Sequence, residues 1–217
     1  MLVRDRMTKN PYTIQASAGI TELMGLIREK NLKRVPVLDG EKVVGMISTS
    51  DIDKVSPTKA TSLSVFEINY LLSKVQVKDA MKRNFIAISP DELVEDAAVE
   101  MRAARVSAVP VVDNGKLVGI MTESDLFDAL IDVLGARQIG TRFVVSTKDK
   151  GGVLSEVSTI ISNHGVNILH LAVVRHEGKD DASADMILRV DSLEVEEILQ
   201  EIEAKGYSVS GVMKNRG

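Results

Sequence analysis

The sequence predicts an α/β protein of the α+β type, in which a duplicated unit is followed by one smaller unit. The segment "VPVLDGEKVVGMISTSD", from Val35 to Asp51, returns as "VPVVDNGKLVGIMTESD" from Val109 to Asp125. These segments lie 74 positions apart, and the same shift relates Val3 to Val77 without a gap. A constant shift kept over such a length indicates a repeated structural unit. After Ile139 the pattern of strands and helices changes to that of a smaller unit.

A helix with one buried face is predicted near the start of each copy. Apolar residues recur there at i, i+3, i+4 and i+7, the spacing of a helix that packs one side on a core. In the second copy, Ser89 and Glu92 have the spacing of a capping box, with Pro90 at the first helical position. The predicted buried residues are Ile20, Leu23, Met24 and Ile27 in the first copy and Val94, Ala97, Ala98 and Met101 in the second.

A β-hairpin follows this helix in each copy. The first hairpin turns at Asp39-Gly40 and the second at Asn114-Gly115. Both dipeptides tolerate the positive φ angles of tight hairpin turns. The polar stretches "STSD" and "TESD" then begin a further helix. Each copy is therefore predicted to fold as β-α-β-β-α, and two such units pack face to face more readily than as a solenoid.

The segment between the copies is predicted to contain a helix of its own. Phe66, Tyr70, Leu71 and Val75 have helical spacing, and the residue that caps the helix is Ser62 or Ser64. Two roles are open for this helix. It covers an exposed sheet or a dimer surface, or it contributes to a ligand site.

The smaller unit reads β-α-β-β-α-β, which is the ferredoxin-like arrangement. The strand "TRFVVST" precedes a helix that ends at Gly165, and two further strands, a helix and a last strand follow. The helix residues predicted to face the core are Val153, Leu154, Val157, Ile160 and Ile161.

Composition argues against several classes of protein. The net charge of −4 and the pI near 5.5 argue against nucleic-acid binding, which requires a concentrated basic face. The absence of cysteine leaves no disulfide or thiolate chemistry and fits a reducing compartment. No apolar run approaches the ~20 residues that span a bilayer. We therefore expect a soluble, cytoplasmic protein.

No catalytic or metal-binding pattern is present in the sequence. His164, His170 and His176 do not have the spacing of metal ligands. The chain also lacks a recognisable Ser-His-Asp or paired-carboxylate arrangement. We therefore expect neither a metal nor an enzyme.

Asp51 and Asp125 are candidate ligand-binding residues. Each is predicted where a strand ends and a helix begins, and a carboxylate there can accept two hydrogen bonds from a ribose diol. Ser48 and Thr122, three positions earlier, offer hydroxyls to phosphate, and free amides at a helix start suit an anion. A plainer interpretation stays open, because aspartate is a common helix N-cap and Ser or Thr beside it makes ordinary turn hydrogen bonds.

The two copies resemble a pair of cystathionine-β-synthase (CBS) domains, with "VPV-D", a hairpin, and then glycine, two apolar residues, Ser or Thr, and an aspartate three positions later. The resemblance implies a Bateman module, which commonly binds adenosine-containing ligands in the cleft between its units. It also implies that the residues before "PV" hold phosphate. These are Lys33 and Arg34 in the first copy, but Ser107 and Ala108 in the second. The first site is therefore expected to hold a phosphate tail better.

The resemblance implies AMP, ADP or ATP as a regulatory ligand, with no enzyme cofactor. The flat base is expected against the apolar Val-Pro pairs of the two copies. The implied nucleotide-binding residues are Thr13, Ile14, Lys33, Arg34, Val35, Pro36, Ser48, Thr49, Asp51, Ala108, Val109, Pro110, Thr122, Ser124 and Asp125.

The smaller unit, with "KGGVL" after its first strand and "HGVNI" before its second, resembles an ACT domain. ACT domains commonly bind amino acids or serve as dimerisation surfaces, and the glycines here would either bind a carboxylate or permit close packing. The usual D-x-P-G-x-L signature is matched except that Gly151 replaces proline. The implied ligand-facing residues are Asp149, Gly151, Gly152, Val153, Leu154 and Asn167.

The whole order of domains resembles the acetoin-utilisation family of the AcuB type. We predict CBS domains at 1–60 and 77–134, a linker helix at 61–76, a connector at 135–140 and an ACT domain at 141–217. The implied function is a non-enzymatic, allosteric sensor of adenine nucleotides in acetoin or carbon utilisation, acting as a homodimer on an unidentified protein target. The alternative is a constitutive oligomerisation or scaffold protein without a ligand.

The connector is predicted to join the nucleotide site to the ACT domain. It begins as the helix that Asp125 caps, so that a bound ligand could bias the helix angle. Gly135 and Gly140 are candidate hinge points. A passive tether, with Gly135 as a plain helix stop, is the alternative.

Overall fold

The computed structural model describes residues 1–55, 64–148, 150–176 and 183–217. The chain forms two compact units, Met1–Phe127 and Asp128–Gly217. Two predicted residues, Ser62 and Asp149, lie outside the described residues. No helix in the described ranges is both long and apolar enough to cross a membrane.

The first unit contains both copies of the repeat. The first copy comprises a 3-10 turn (Val3–Asp5), β1 (Thr8–Lys9), β2 (Ile14–Gln15), α1 (Ile20–Lys30), β3 (Arg34–Asp39), β4 (Lys42–Ser48) and α2 (Thr49–Val55). The linker helix α3 (Val65–Lys74) follows. The second copy comprises α4 (Val77–Ala80), α5 (Val94–Ala104), β5 (Ala108–Asp113), β6 (Lys116–Thr122) and α6 (Glu123–Val133).

Two three-stranded sheets form the framework of this unit, with the orders β2-β3-β4 and β1-β6-β5. The strand β1 belongs to the first copy in sequence but pairs with β6 of the second copy, with Thr8 opposite Ile120. The equivalent residue of the second copy, Lys82, pairs with the first copy in return. It exchanges backbone hydrogen bonds of 2.9 and 3.0 Å with Met46 of β4. Each copy therefore completes its sheet with the leading segment of the other.

The backbone before these strands is exchanged in the same way. The Val3 amide donates to the Glu92 carbonyl at 2.9 Å, and the Val77 amide donates to the Ala18 carbonyl, also at 2.9 Å. Both valine side chains are fully buried. Since each pair differs from the other by the 74-residue shift, both copies are attached by the same contacts.

A glycine in each hairpin makes room for the exchanged segment. A β-carbon at Gly45 would lie 2.8 Å from the Lys82 carbonyl oxygen and 2.8 Å from the Met81 sulfur. A β-carbon at Gly119 would collide with the Met7 sulfur. The glycine of the repeated "VG" motif is therefore required by close packing of one copy on the other.

The predicted helix stripes are confirmed, with one helix start corrected. Ile20, Leu23, Val94, Ala97 and Met101 are buried. The partly buried Met24 and Ile27 pack on the core of the first copy. The predicted start at Ser89 is wrong, because α5 begins at Val94 with Leu93 as its N-cap. The Glu92 carboxylate instead accepts the Ser89 amide within a separate turn.

The linker helix is capped as predicted but exposes its aromatic side chains. The Ser64 hydroxyl accepts the Glu67 amide, and the Glu67 carboxylate accepts the Ser64 amide, which makes a capping box. The side chain of Leu72 is buried, whereas Phe66 is 87% exposed and Tyr70 is 64% exposed. The helix therefore packs through Leu72 and leaves an apolar surface uncovered within this unit.

The second unit has the predicted ferredoxin-like order. It consists of β7 (Gly140–Lys148), α7 (Val153–Asn163), β8 (Ile168–His176), β9 (Ser183–Val190), α8 (Glu196–Ala204) and β10 (Ser208–Asn215). Its four strands form an antiparallel sheet in the order β10-β7-β9-β8. A core built around Phe143, Leu188, Ile161 and Ile202 joins the sheet to both helices.

One residue predicted for this core is wrong. Val153, Val157, Ile160 and Ile161 are buried, but Leu154 is 44% exposed. Because α7 begins at Val153, its buried stripe runs at i, i+4, i+7 and i+8 from that residue, and Leu154 falls outside the stripe.

The predicted connector is held against the sheet of the second unit. The His170 ring donates to the Val133 carbonyl at 2.8 Å, and the Asn215 amide donates to the Gln138 carbonyl at 2.9 Å. Arg189 adds a third hydrogen bond, of 3.2 Å, to the same Gln138 carbonyl. A β-carbon at Gly135 would collide with the His170 ring. This glycine therefore has a packing role, and its use as a hinge stays a prediction.

We expect Gly45→Ala to lower the free energy of unfolding by about 1–3 kcal/mol, because the added methyl group must displace backbone of the exchanged segment. Gly25→Ala is the matched control. Gly25 lies exposed within α1 with open space around it, so alanine there should raise stability by about 0.5–1 kcal/mol. Urea unfolding followed by circular dichroism measures both effects. Equal midpoints for the two variants would contradict the packing role of Gly45.

Candidate functional site

Each copy of the repeat places an aspartate at the corner between its last strand and the next helix. The Asp51 carboxylate accepts hydrogen bonds from the Ser48 amide at 3.1 Å and the Ser48 hydroxyl at 2.5 Å. The Asp125 carboxylate accepts both groups of Thr122, each at 2.7 Å. In each corner, the serine or threonine uses only one of the two carboxylate oxygens. The second oxygen determines what else each aspartate can bind.

The second oxygen is occupied in the first copy and open in the second. In Asp51 it lies 3.1 Å from the Lys54 ammonium and 3.8 Å from that of Lys82, and the residue is only 3% exposed. Asp125 is half-buried, and its second oxygen has no partner among the described residues. The two corners share their capping geometry but differ in their capacity to accept a ligand.

The surroundings of Asp51 favour its ionised form. Burial raises the pKa of the Asp51 carboxyl, but hydrogen bonds from Ser48 and Lys54 and the charge of Lys82 outweigh that effect. The pKa therefore lies below its ordinary value. The ionised carboxylate is part of the folded corner.

Two clefts lie between the copies within the first unit. The first, here called the wide cleft, has a volume of about 640 Å³. Its walls come from the start of the first copy, from the loop before β3 and from the corner of the second copy. They comprise Thr8, Lys9, Asn10, Pro11, Tyr12, Asn31, Leu32, Lys33, Arg34, Pro36, Ser107, Ala108, Ile120, Thr122, Glu123 and Ser124.

The second, here called the narrow cleft, has a volume of about 170 Å³. It contains the Asp51 corner and faces the loop before β5. Its walls comprise Arg34, Met46, Ile47, Ser48, Ser50, Asp51, Lys82, Arg105, Val106, Ser107 and Ala108. The 74-residue shift relates many residues of the two clefts, so that Lys82 corresponds to Thr8 and Arg105 to Asn31.

The expected partnership of the phosphate-binding residues requires a correction. The sequence placed Lys33 beside the Ser48–Asp51 corner of its own copy, but Lys33 lines the wide cleft together with Thr122 and Ser124 of the other copy. Each cleft combines the corner of one copy with the loop of the other, because the copies face each other with their leading segments exchanged. Of the two predicted cations, Lys33 and Arg34, only Arg34 borders both clefts.

Several cations of the clefts carry unpaired charge. Lys33, Arg34 and Arg105 form no side-chain hydrogen bond or ion pair in the part of the chain that the structure describes. In a chain of net charge −4, this is a local concentration of positive charge. Such a cleft attracts anions.

The other predicted residues are distributed between the clefts and the cores. Pro36 and Ser124 line the wide cleft, and Ala108 lines both clefts. The side chains of Ile14, Val35, Val109 and Pro110 are buried in the interior, and the contact of a flat base with the backbone of the Val-Pro pairs stays a prediction. Thr49 is exposed on the first turn of α2. Thr13 lines a separate hollow of about 370 Å³ with Lys116 and Leu117.

The sequence interpretation missed several cleft residues, four of which carry a positive charge or an aromatic ring. These are Lys9, Tyr12, Lys82 and Arg105. The 74-residue shift could have identified Lys82 and Arg105. Their counterparts in the other copy, Thr8 and Asn31, line the wide cleft. The half-exposed Tyr12 ring lies 5.4 Å from the Lys30 ammonium and has an accessible face in the wide cleft.

The glycine turn of the second unit is open. Gly151 and Gly152 are exposed, with free space where a side chain would be, and Gly152 has a φ of +92° before α7. Val153 is buried, and the backbone amide of Asn167 donates to the Asp191 carboxylate at 2.9 Å. The role of the described glycine-turn residues in binding an amino acid stays a prediction.

The polar cluster around Asp185 in the second unit does not have the arrangement of a nucleophilic triad. The Asp185 carboxylate accepts the Ser146 hydroxyl at 2.6 Å and lies 2.9 Å from the His176 ring. A triad requires the imidazole, not the carboxylate, next to the hydroxyl. Nor do the described ranges contain three or more histidine, aspartate or glutamate side chains grouped as a metal site.

The lowered pKa of Asp51 predicts a pH-dependent stability. An ionised Asp51 stabilises the fold above the pKa of the unfolded chain, about 3.9. That contribution is lost as the pH falls through the lower pKa of the folded state. Asp51→Asn keeps an oxygen for Ser48 but cannot ionise, so its stability deficit should shrink between pH 6 and pH 3. Urea midpoints across this range measure the difference, and a deficit independent of pH would contradict the assignment.

The chain resembles known proteins in both of its units. Residues 3–57 and 77–132 match the CBS domain, and residues 141–206 match the ACT domain. The uncharacterized protein MJ1426 of Methanocaldococcus jannaschii is 33% identical over 155 residues, which cover 60% of this chain and 92% of that protein. L-aspartate semialdehyde sulfurtransferase of the same organism is 31% identical over 127 residues, but the chain spans only 22% of its length.

Three solved structures resemble about the same fraction of this chain as MJ1426 does. AcuB from Vibrio cholerae, named for acetoin utilization, has 23% identity and a TM-score of 0.52 over 63% of this chain and 95% of that one, a likeness of fold. The CBS pair of protein MJ0100, in complex with 5′-methylthioadenosine and S-adenosyl-L-methionine, has 29% identity and a TM-score of 0.50 over 64% and 98%. CBSX2 in complex with AMP has 27% identity and a TM-score of 0.50 over 61% and 97%.

The two CBS matches together take up just over half of the chain and coincide with the two copies of the repeat, and the ACT match coincides with the ferredoxin-like unit. The protein therefore belongs to the CBS-domain family, as a tandem CBS pair followed by an ACT domain.

Proposed function

We propose that this protein is a non-enzymatic regulator that binds an adenine nucleotide between its CBS domains. The observation that carries the proposal is the wide cleft, which combines unpaired cations with hydroxyl groups. Asp125, whose second oxygen is open, directly follows the wall residues Glu123 and Ser124. Its volume of 640 Å³ falls within the range of small-molecule sites, about 300–1,000 Å³. Structures of related CBS pairs hold AMP, 5′-methylthioadenosine or S-adenosyl-L-methionine, which supports the same class of ligand here.

The residues of the wide cleft supply a partner for each part of a nucleotide. Lys33 and Arg34 offer charge-assisted hydrogen bonds to phosphate. Asp125, which follows the wall residue Ser124, has an open oxygen that can accept a ribose hydroxyl. The half-exposed Tyr12 ring offers an apolar surface for a flat base. This division of roles makes no use of a reactive group, which agrees with a regulatory function.

The role of the ACT domain belongs to the same proposal. Dimerisation is the role that its described residues favour, because β8 is an edge strand with Leu171, Val173 and Val174 exposed. An exposed apolar edge requires a cover or a pairing strand. Amino-acid binding at the glycine turn is the other role, and an action in acetoin or carbon utilisation on an unidentified cytoplasmic target completes the proposal.

A scaffold without a ligand is the second candidate function. Exposed apolar side chains on α3 and α6, including Phe66, Tyr70 and Phe127, favour an assembling surface. Calorimetric titration with AMP, ADP, ATP and S-adenosyl-L-methionine separates the candidates, because a scaffold binds none of them.

We expect Asp125→Ala to weaken nucleotide binding about 10–100-fold, the equivalent of roughly 1.5–3 kcal/mol for a charge-assisted hydrogen bond. Asp39→Ala is the control, since Asp39 is an exposed carboxylate in a hairpin turn of the same repeat. Thermal unfolding establishes that each variant is folded. Unchanged affinity in Asp125→Ala, in Asp51→Ala and in the double variant would overturn the ribose assignment.

We also expect a homodimer in solution. The edge strand of the ACT sheet and the exposed apolar side chains of the CBS pair are more stable when covered. Sedimentation at micromolar concentration should give about twice the chain mass of 23.6 kDa. A monomer mass across that concentration range would contradict the expectation.

A further inference from the structure

We infer that the CBS pair binds one nucleotide per chain, in the wide cleft, and that the cations there select a nucleoside di- or triphosphate over a monophosphate. The inference rests on the proposed function and assigns it a site, a stoichiometry and a ligand class. Three differences between the clefts carry it.

The first difference is volume. Small-molecule sites occupy about 300–1,000 Å³, which includes the wide cleft at 640 Å³ and excludes the narrow cleft at 170 Å³. The narrow cleft lies between the Asp51 corner and the loop at Arg105. A nucleoside could enter it only if these two walls moved apart.

The second difference is the state of the aspartate. A ribose at Asp51 would compete with Lys54 and Lys82 for the oxygen that faces away from Ser48. That carboxylate is almost fully buried and already satisfied. At Asp125 the corresponding oxygen has no competing cation in the described ranges. Asp125 directly follows the wide-cleft residue Ser124, so a nucleoside that reaches this corner finds an open oxygen. At Asp51, which lines the narrow cleft, a nucleoside must displace a cation.

The third difference is the placement of cations. Lys9, Lys33 and Arg34 line the wide cleft, where Glu123 is the one acidic side chain among its described walls. None of the three cations has a side-chain partner in the described part of the chain. A single phosphate cannot satisfy three separate cations as well as a chain of two or three phosphates, which carries more charge and more acceptor oxygens.

Arg34 makes the two clefts mutually exclusive for anions. It lies at the start of β3, opposite Ser48 of β4, and it borders both clefts. An anion that pairs with its guanidinium in the wide cleft removes that cation from the narrow cleft. Binding on one side therefore lowers the affinity for an anion on the other.

The experiment is calorimetric titration of the full chain with ATP and with AMP in low salt. We expect one ATP per chain, tighter binding of ATP than of AMP, and an ATP affinity that falls more steeply with added NaCl. Lys33→Ala should weaken ATP binding about five- to tenfold. The expected loss is kept small because Lys33 is exposed and solvent weakens its ion pair with phosphate. Lys33→Arg should restore most of the affinity, since it keeps the charge.

The matched control is Arg105→Ala, which removes an unpaired cation from the narrow cleft alone. We expect it to change ATP affinity less than twofold. Two equivalent sites per chain, equal losses in Lys33→Ala and Arg105→Ala, or tighter binding of AMP than of ATP would overturn this inference and leave the proposed function standing. A complete lack of binding of AMP, ADP and ATP would overturn both.

Discussion

The exchange of leading segments between the two repeats is the contact on which the first unit depends. Each repeat supplies the buried valine and the edge backbone that the other lacks, through Val3 and Val77 and through the pairing of β1 with β6. The clefts exist because of this exchange, since it brings the corner of one repeat against the loop of the other. The folded repeat and the candidate binding site are therefore consequences of the same contacts.

The sequence predicted the order and type of the main helices and hairpins because their signals are local: hairpin dipeptides and helical stripes each depend on residues within about 15 positions. It did not predict β1 or α4, and the leading strand predicted for the second copy is wrong, because only an isolated bridge between Ile88 and Val111 forms there. The exchange could not be predicted in this way, because Thr8 and Ile120 are far apart in sequence and only their spatial pairing shows it. For the same reason Lys33 was assigned to its own repeat, while its cleft partners, Thr122 and Ser124, belong to the other one.

The candidate site also shows where identical motifs diverge. Both aspartates cap their corners in the same way, which confirms the capping interpretation, while the ligand interpretation stays a prediction. The surroundings separate them, because Lys82 reaches Asp51 whereas its counterpart in the shift, Thr8, brings no charge to Asp125. The four-residue motifs that end at Asp51 and Asp125 cannot encode this difference in charge, because Lys82 belongs to the segment exchanged from the other repeat.

The exchange also affects how the chain leaves the ribosome. The strand β1 is synthesised early but pairs with β6, more than a hundred residues later. At roughly 5–20 residues per second, the wait lasts on the order of 5–20 seconds. The sheet edge at Met46 is unfilled only until Lys82 has been made, and Val3 lacks its partner until Glu92 has been made. β1 itself stays unpaired until β6 follows. The first repeat therefore completes its fold only as the second repeat is synthesised.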